Sequence, residues 1–267
     1  MSRISSTFDS ILDKNRKALI PYFTAGDPSP KLTVPLMHSM VEGGADIIEL
    51  GIPFSDPMAE GPVIQRACER ALKFNVNIKD VLGFVKLFRK HNNKTPVVLM
   101  GYANPIEKIG EKKFTELSYN AGVDGVIVVD YPPEECESFS KLLKNVGIDL
   151  IFLLAPTSTE ERIKQVAEIG GGFSYYVSLR GVTGAKHIDV EEVSNRIKKI
   201  RQYVDLPIGV GFGIRDSDTA KAVASVSDAV VIGSRIIEEI EKSKNNDCVK
   251  SIKNFLLKIR KSIDQIN

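Results

Sequence analysis

Asp46-Ile47-Ile48-Glu49-Leu50-Gly51-Ile52-Pro53-Phe54-Ser55-Asp56-Pro57-Met58-Ala59-Glu60-Gly61-Pro62-Val63-Ile64 reads as a strand, a loop and the first turn of a helix. Ile47 and Ile48 open an apolar run of the kind that forms a strand buried on both faces. Glu49 interrupts that run near its end, where a carboxylate is costly to bury unless it is paired or used. Gly51, Pro53, Pro57, Gly61 and Pro62 are dense enough punctuation to make residues 51–61 a loop, and that loop carries Asp56 and Glu60. Pro62 suits the first helical position, and Ile64, Ala67, Cys68, Ala71 and Leu72 supply an apolar helical stripe. One acid therefore sits at a strand end and two more on the loop above it. In parallel α/β proteins, chemistry collects at that end of the strands.

The same alternation extends in both directions. Ile4, Phe8, Ile11 and Leu12 predict a helix ahead of the first strand, placed as a plug over the bottom of a barrel. Strands are expected at 18–23, 46–50, 96–100, 125–129, 150–154, 173–177, 207–210 and 228–232. Helical segments separate them, and an amphipathic helix from Val249 to Ile263 ends the chain. Gly101-Tyr102-Ala103-Asn104-Pro105 is expected as the loop after the third strand, and a helix is expected from Tyr131 to Asn145. Eight strands alternating with helices over 267 residues place the chain in the α/β class. The expected architecture is a single (β/α)8 barrel with an extra N-terminal helix, one domain over 1–267. An open doubly wound sheet is the alternative.

Composition narrows the function. A net charge of +2, with basic residues spread through the helices, gives no electrostatic case for nucleic acid. No apolar run reaches membrane-spanning length and the N-terminus has no signal-peptide pattern, so the expected setting is cytoplasmic. Cys68, Cys136 and Cys248 form no Cys-x-x-Cys pair. His38, His91 and His187 are isolated in sequence, and no metal-ligand spacing appears.

Three glycine-rich loops follow the sixth, seventh and eighth predicted strands: Gly181-Val182-Thr183-Gly184, Gly211-Phe212-Gly213-Ile214 and Gly233-Ser234. Backbone amides approach an anion closely only where no side chain intervenes, and a helix opening at Ser234 adds its free N–H groups. Each loop alone could be an ordinary turn. Together, after the last strands, they point to a phosphate site. Gly209 and Gly211 could begin a dinucleotide fingerprint, but Ile214 fills its last position, which argues against a nicotinamide cofactor.

Several of these stretches together resemble the tryptophan synthase alpha subunit family. They are Pro21-Tyr22-Phe23-Thr24-Ala25-Gly26-Asp27-Pro28, Glu49-Leu50-Gly51-Ile52-Pro53-Phe54-Ser55-Asp56-Pro57, Gly61-Pro62-Val63-Ile64-Gln65, Gly101-Tyr102-Ala103-Asn104-Pro105, Gly181-Val182-Thr183-Gly184 and Gly211-Phe212-Gly213-Ile214. The resemblance covers most of the chain and implies a TIM barrel. It implies a carbon–carbon lyase that splits indole-3-glycerol phosphate by a retro-aldol step into indole and glyceraldehyde 3-phosphate, with no metal or organic cofactor. It also implies a beta-subunit partner, in an alpha2-beta2 heterotetramer, that condenses the indole with serine using pyridoxal phosphate.

Residue by residue, the resemblance assigns proton transfer to Glu49 and the indole nitrogen to Glu60. It assigns the indole pocket to Tyr22, Ile64, Met100, Tyr102, Val129, Thr183 and Phe212, and an active-site role to Tyr175. The phosphate cradle falls on Gly184, Gly213, Gly233 and Ser234, and the partner-facing loops on Pro53, Asp56, Pro57 and Asn104. The chain departs from the family twice. Glu60 stands where Asp is usual, one methylene further out, about 1.5 Å along a C–C bond. Leu179 separates Ser178 from Arg180 where the family has Ser-Arg. Glu60 is the feature behind an alternative: a catalytically weak subunit that binds the phosphate ligand and activates its partner. Another phosphate-binding barrel, an isomerase or epimerase of sugar phosphates, is the remaining reading.

Overall fold

Period-two alternation sorts the strand residues into two sets, and the architecture follows from where each set points. The computed structural model describes residues 2–178, 189–211, 213–243 and 247–266. Its strands are β1 (Ala18–Thr24), β2 (Ile48–Gly51), β3 (Val97–Gly101), β4 (Gly125–Val128), β5 (Asp149–Leu150), β6 (Leu153–Leu154), β7 (Ser174–Val177), β8 (Ile208–Gly211) and β9 (Ala229–Ile232). The helices are α1 (Arg3–Leu12), α2 (Pro30–Glu42), α3 (Pro62–Leu72), α4 (Ile78–Arg89), α5 (Ala103–Ile109), α6 (Glu111–Ala121), α7 (Glu137–Asn145), α8 (Glu160–Ile169), α9 (Val190–Ile200), α10 (Ser217–Ala224), α11 (Ser234–Lys242) and α12 (Asp247–Ile263).

All pairings are parallel, in the order β5-β4-β3-β2-β1-β9-β8-β7-β6. The two outermost strands are consecutive pieces of one stretch, so the chain itself closes the ring. Ile151 N–H donates to Val126 O at 2.9 Å on one side, and Tyr175 N–H donates to Phe152 O at 3.1 Å on the other. The single fifth strand expected at 150–154 is thus corrected to two short ladders. Strands in a barrel are tilted and staggered, so this stretch meets one neighbour at its start and the other at its end.

Inward-facing Ala18, Ile20, Ile47, Val98, Ile127, Ile151, Phe173, Ala229 and Val231 form one buried cluster with Ile4, Phe8 and Ile11 of α1. This is the expected plug. Leu19, Phe23, Ile48, Leu50, Leu99, Val126 and Val210 face outward and pack against the helical ring. The Ser2 hydroxyl caps α1 and also donates to Asp149 at 2.7 Å, fixing the plug to the start of β5.

Two further expected elements differ. Ala103, Asn104 and Pro105 begin α5 instead of lying in a loop, because the Asp130 carboxylate, from the loop after β4, accepts the Ala103 N–H at 2.8 Å. A cap supplied from 27 residues away leaves no local signature. Gly110, at φ +88°, then separates α5 from α6. The helix expected from Tyr131 breaks into a 3-10 turn, Pro133–Glu135, followed by α7.

Aspartates at three strand starts close the barrel bottom. Asp46, Asp124 and Asp228 accept the N–H groups of Leu19, Val97 and Ile208, each at 2.8 Å. Arg260, Arg89 and Arg201 pair with them in turn. Asp124 is the most enclosed: Arg89, with 9% of its side chain exposed, reaches it at 2.5 Å and Arg3 at 2.7 Å. Removing one partner of a buried pair strands the other's charge. Asp124→Ala is therefore expected to cost about 3–5 kcal/mol in urea denaturation. The folded fraction should keep its active-site properties, since the site lies at the opposite end.

Candidate active site

Glu49 lies on β2 with its side chain inside the barrel, register partner of Tyr22 on β1 and Val98 on β3. It is 0% exposed, and neither carboxyl oxygen has a hydrogen-bond partner. Burial, and then the charge of Glu60, push its carboxyl well above the usual range. Burial of that kind favours the neutral, protonated form of a carboxyl.

Glu60 reaches the same space from the loop after β2. Burial raises its carboxyl to about 7. The loop is held by its neighbours: Ala59 N–H donates to the Tyr102 hydroxyl at 3.1 Å, and Gln65 Nε2 donates to Glu60 O at 2.9 Å. The Phe54 and Tyr102 rings stack at 5.2 Å. Glu60 is thus a group turned into the barrel mouth, not a solvated loop acid.

Two adjoining cavities occupy that mouth. One, of about 280 Å³, is lined by Glu49, Glu60, Tyr22, Ile64, Met100, Tyr175, Gly213, Gly233 and Ser234 among others. The second, of about 510 Å³, is lined by Val129, Leu153, Ala155 and Val177, and shares Glu60, Met100 and Tyr175 with the first. Tyr175 is pushed up by burial and then by the charges of Glu49 and Glu60, so all three groups face one space.

Glycines make room for the two tyrosines. A β-carbon at Gly51 would lie 2.8 Å from Tyr22 Cζ, and one at Gly211 would lie 2.6 Å from Tyr175 Cζ. Gly51→Ala is therefore expected to cost about 1–3 kcal/mol by overpacking. By displacing Tyr22 beside Glu49 it should also slow turnover by up to about 100-fold. Denaturation and rate measurements on one preparation check both.

The far wall of the first cavity suits an anion. Helix α11 opens there at Ser234, which lines the cavity, and no side chain caps it, although the Ile236 N–H already donates to Gly233 O at 2.8 Å. Gly213 takes φ +76°, a left-handed conformation that favours glycine.

Of the residues singled out by sequence, Glu49, Glu60, Tyr22, Ile64, Met100, Tyr175, Gly213, Gly233 and Ser234 come together in the first cavity, and Val129 lines the second. Tyr102 lines neither; it supports the loop that carries Glu60. Thr183, Gly184, Phe212, Leu179 and Arg180 lie outside the described residues. Pro53 is buried, whereas Asp56 and Asn104 are exposed, and Met58, two residues after Asp56, is 84% exposed. Arg215, Arg235 and Leu153 also line the cavities, and sequence reasoning passed them over. Leu153 was findable as the inward alternate of Ile151, and Arg235 as the neighbour of Ser234 in the first turn. Among the described residues no group of three or more His, Cys, Asp or Glu is placed to hold a metal ion, and no helix is long and apolar enough to cross a membrane. The rings of His38 and His91, isolated in sequence, approach to 6.2 Å.

A (β/α)8 barrel with two perturbed carboxyl groups and a helix N-terminus lining one cavity has the form of a barrel enzyme. The family model of the tryptophan synthase alpha chain matches residues 8–264. The tryptophan synthase alpha chain of Janthinobacterium sp. (strain Marseille) is 68% identical over 99% of this chain and 100% of its own length, and that of Herminiimonas arsenicoxydans is 66% identical over the same shares. The crystal structure of tryptophan synthase subunit alpha from Legionella pneumophila str. Paris superposes with a TM-score of 0.92 at 42% identity, covering 100% of both chains. The chain belongs to the tryptophan synthase alpha chain family, lyases of tryptophan biosynthesis.

Proposed function

We propose that the chain, acting as one barrel domain over 1–267, cleaves indole-3-glycerol phosphate into indole and glyceraldehyde 3-phosphate. The observation that carries this reading is the unpartnered carboxyl of Glu49, sealed in a cavity whose far wall is an uncapped helix N-terminus. Substrate phosphate would rest on Gly213, Gly233 and Ser234, with Gly184 completing the cradle. The indole ring would lie among Ile64, Met100, Val129, Tyr175 and Tyr22, closed by Thr183 and Phe212. Glu49 delivers its proton to indole carbon 3, which places positive charge on the ring nitrogen. Glu60, ionised above about pH 7, accepts that nitrogen's N–H and stabilises the charge. The Glu49 carboxylate then takes the proton of the adjacent glycerol hydroxyl. The carbon–carbon bond breaks, its electrons neutralise the ring, the aldehyde forms, and Glu49 is protonated again.

These steps need no cofactor in this chain; pyridoxal phosphate belongs to the beta partner. The partner would dock on the loops carrying Pro53, Asp56 and Asn104, in a cytoplasmic alpha2-beta2 assembly. Single-turnover incubation of the purified chain with its beta subunit and indoleglycerol phosphate tests the proposal. Release of indole and glyceraldehyde 3-phosphate in equal amounts is expected. No indole above background, with activation of the partner intact, would instead make the chain a ligand-binding activator.

A further inference from the structure

Helices α3 and α11 both begin at the first cavity, behind the two strands that flank β1. Helix α3 starts two residues after Glu60 and carries Ile64, while α11 starts with Ser234 at the cradle. One connected ion-pair network joins them. Arg66 Nε and a terminal nitrogen donate to the two oxygens of Glu241, both at 2.9 Å. Arg70 donates to Glu241 at 2.5 Å with one terminal nitrogen. With its Nε and its other terminal nitrogen Arg70 grips both oxygens of Asp27, at 2.6 and 2.8 Å. Asp27, in the loop after β1, is 0% exposed. Glu241 therefore lies where two guanidinium forks on α3 meet the last turn of α11.

We propose that Glu241 is a positioning residue: through Arg66 and Arg70 it locks α11 to α3 and sets the distance between the phosphate cradle and the carboxyl of Glu60. The inference rests on the retro-aldol reading. Forked guanidinium–carboxylate pairs fix orientation as well as distance. Glu241 follows Ser234 by seven residues, two turns of one helix. Arg66 likewise stands on the second turn of α3, behind Ile64. A displacement at the network is carried by rigid helices to both cavity walls. Hydrogen bonds from Arg66 hold the Glu241 carboxyl down at about 2, so the clamp stays charged at any working pH. Burial raises the Asp27 carboxyl despite Arg70, so its charge depends on that arginine staying in place.

A short phosphate ligand reads the cradle alone, whereas the full substrate reads the distance from cradle to acid. Glu241→Gln is therefore expected to lower kcat for indoleglycerol phosphate cleavage by about 10- to 100-fold. Its dissociation constant for glycerol 3-phosphate, by calorimetry, should stay within about threefold of wild type, and Glu241→Asp should recover most of kcat. All three proteins are compared well below their melting temperatures. Should Glu241→Gln not fold, Arg66→Met removes only the outer arm, and a severalfold fall in kcat with glycerol 3-phosphate affinity retained is expected. An unchanged kcat in either variant overturns the proposal. So does a fall in which kcat and glycerol 3-phosphate affinity drop together, the mark of a merely structural role. Failure of the wild-type chain to release indole would count against the lyase reading instead.

Discussion

Glu49→Gln is expected to slow indoleglycerol phosphate cleavage by roughly 10²- to 10⁴-fold, the range one positioned acid–base group supplies. The amide matches the carboxyl in shape but can neither give a proton to carbon 3 nor take one from the glycerol hydroxyl. The proposed cradle at Gly213, Gly233 and Ser234 is untouched, so glycerol 3-phosphate should bind as in wild type. The variant should also change how stability depends on pH. The folded-state pKa of Glu49 lies above its unfolded value. Wild-type stability therefore falls as pH rises from the unfolded pKa, about 4.3, towards the folded one. Glu49→Gln should lack that part of the decline in urea titrations at several pH values. Wild-type-like turnover would remove Glu49 from the chemistry altogether.

The second large effect concerns Glu60. If its carboxylate stabilises charge on the ring nitrogen, Glu60→Gln should cost about 10²- to 10³-fold, as for loss of one group aimed at transition-state charge. The pH profile gives a sharper reading. Protonation of a group with pKa about 7 removes that stabilisation, so wild-type kcat/KM should fall as pH drops through about 7. Above that value the carboxylate is ionised and the rate should level off. Glu60→Gln should flatten this limb. Glu60→Asp should keep it, with a rate set by how far the shorter side chain reaches. An acid limb that survives unchanged in Glu60→Gln belongs to another group and would remove Glu60 from the charge-stabilising role.

The contrast between these two acids shows what each level of description holds. Glu49 stood out in sequence because a charged residue breaks an otherwise apolar strand. Its burial with no hydrogen-bond partner comes from Tyr22, Met100 and Tyr175, which three other strands bring around it. Glu60 is marked in the sequence only by its place in the family motif, and nothing local fixes where its carboxyl points. Tyr102, from the loop after β3, holds its loop by the Ala59 N–H and leaves the carboxyl facing inward.

By itself the sequence determined the β/α alternation, the helix that plugs the barrel and the glycines at 213 and 233 that line the first cavity. Those are local properties: side-chain periodicity and the steric freedom of glycine act over a few residues. Only the tertiary structure decided where the fifth strand breaks, that Asp130 caps α5, how far the two carboxyl groups are perturbed and that Glu241 bridges α3 and α11. Each of these depends on groups far apart in the chain. Desolvation and ion pairing are set by what surrounds a side chain in space, and no short stretch of sequence encodes that.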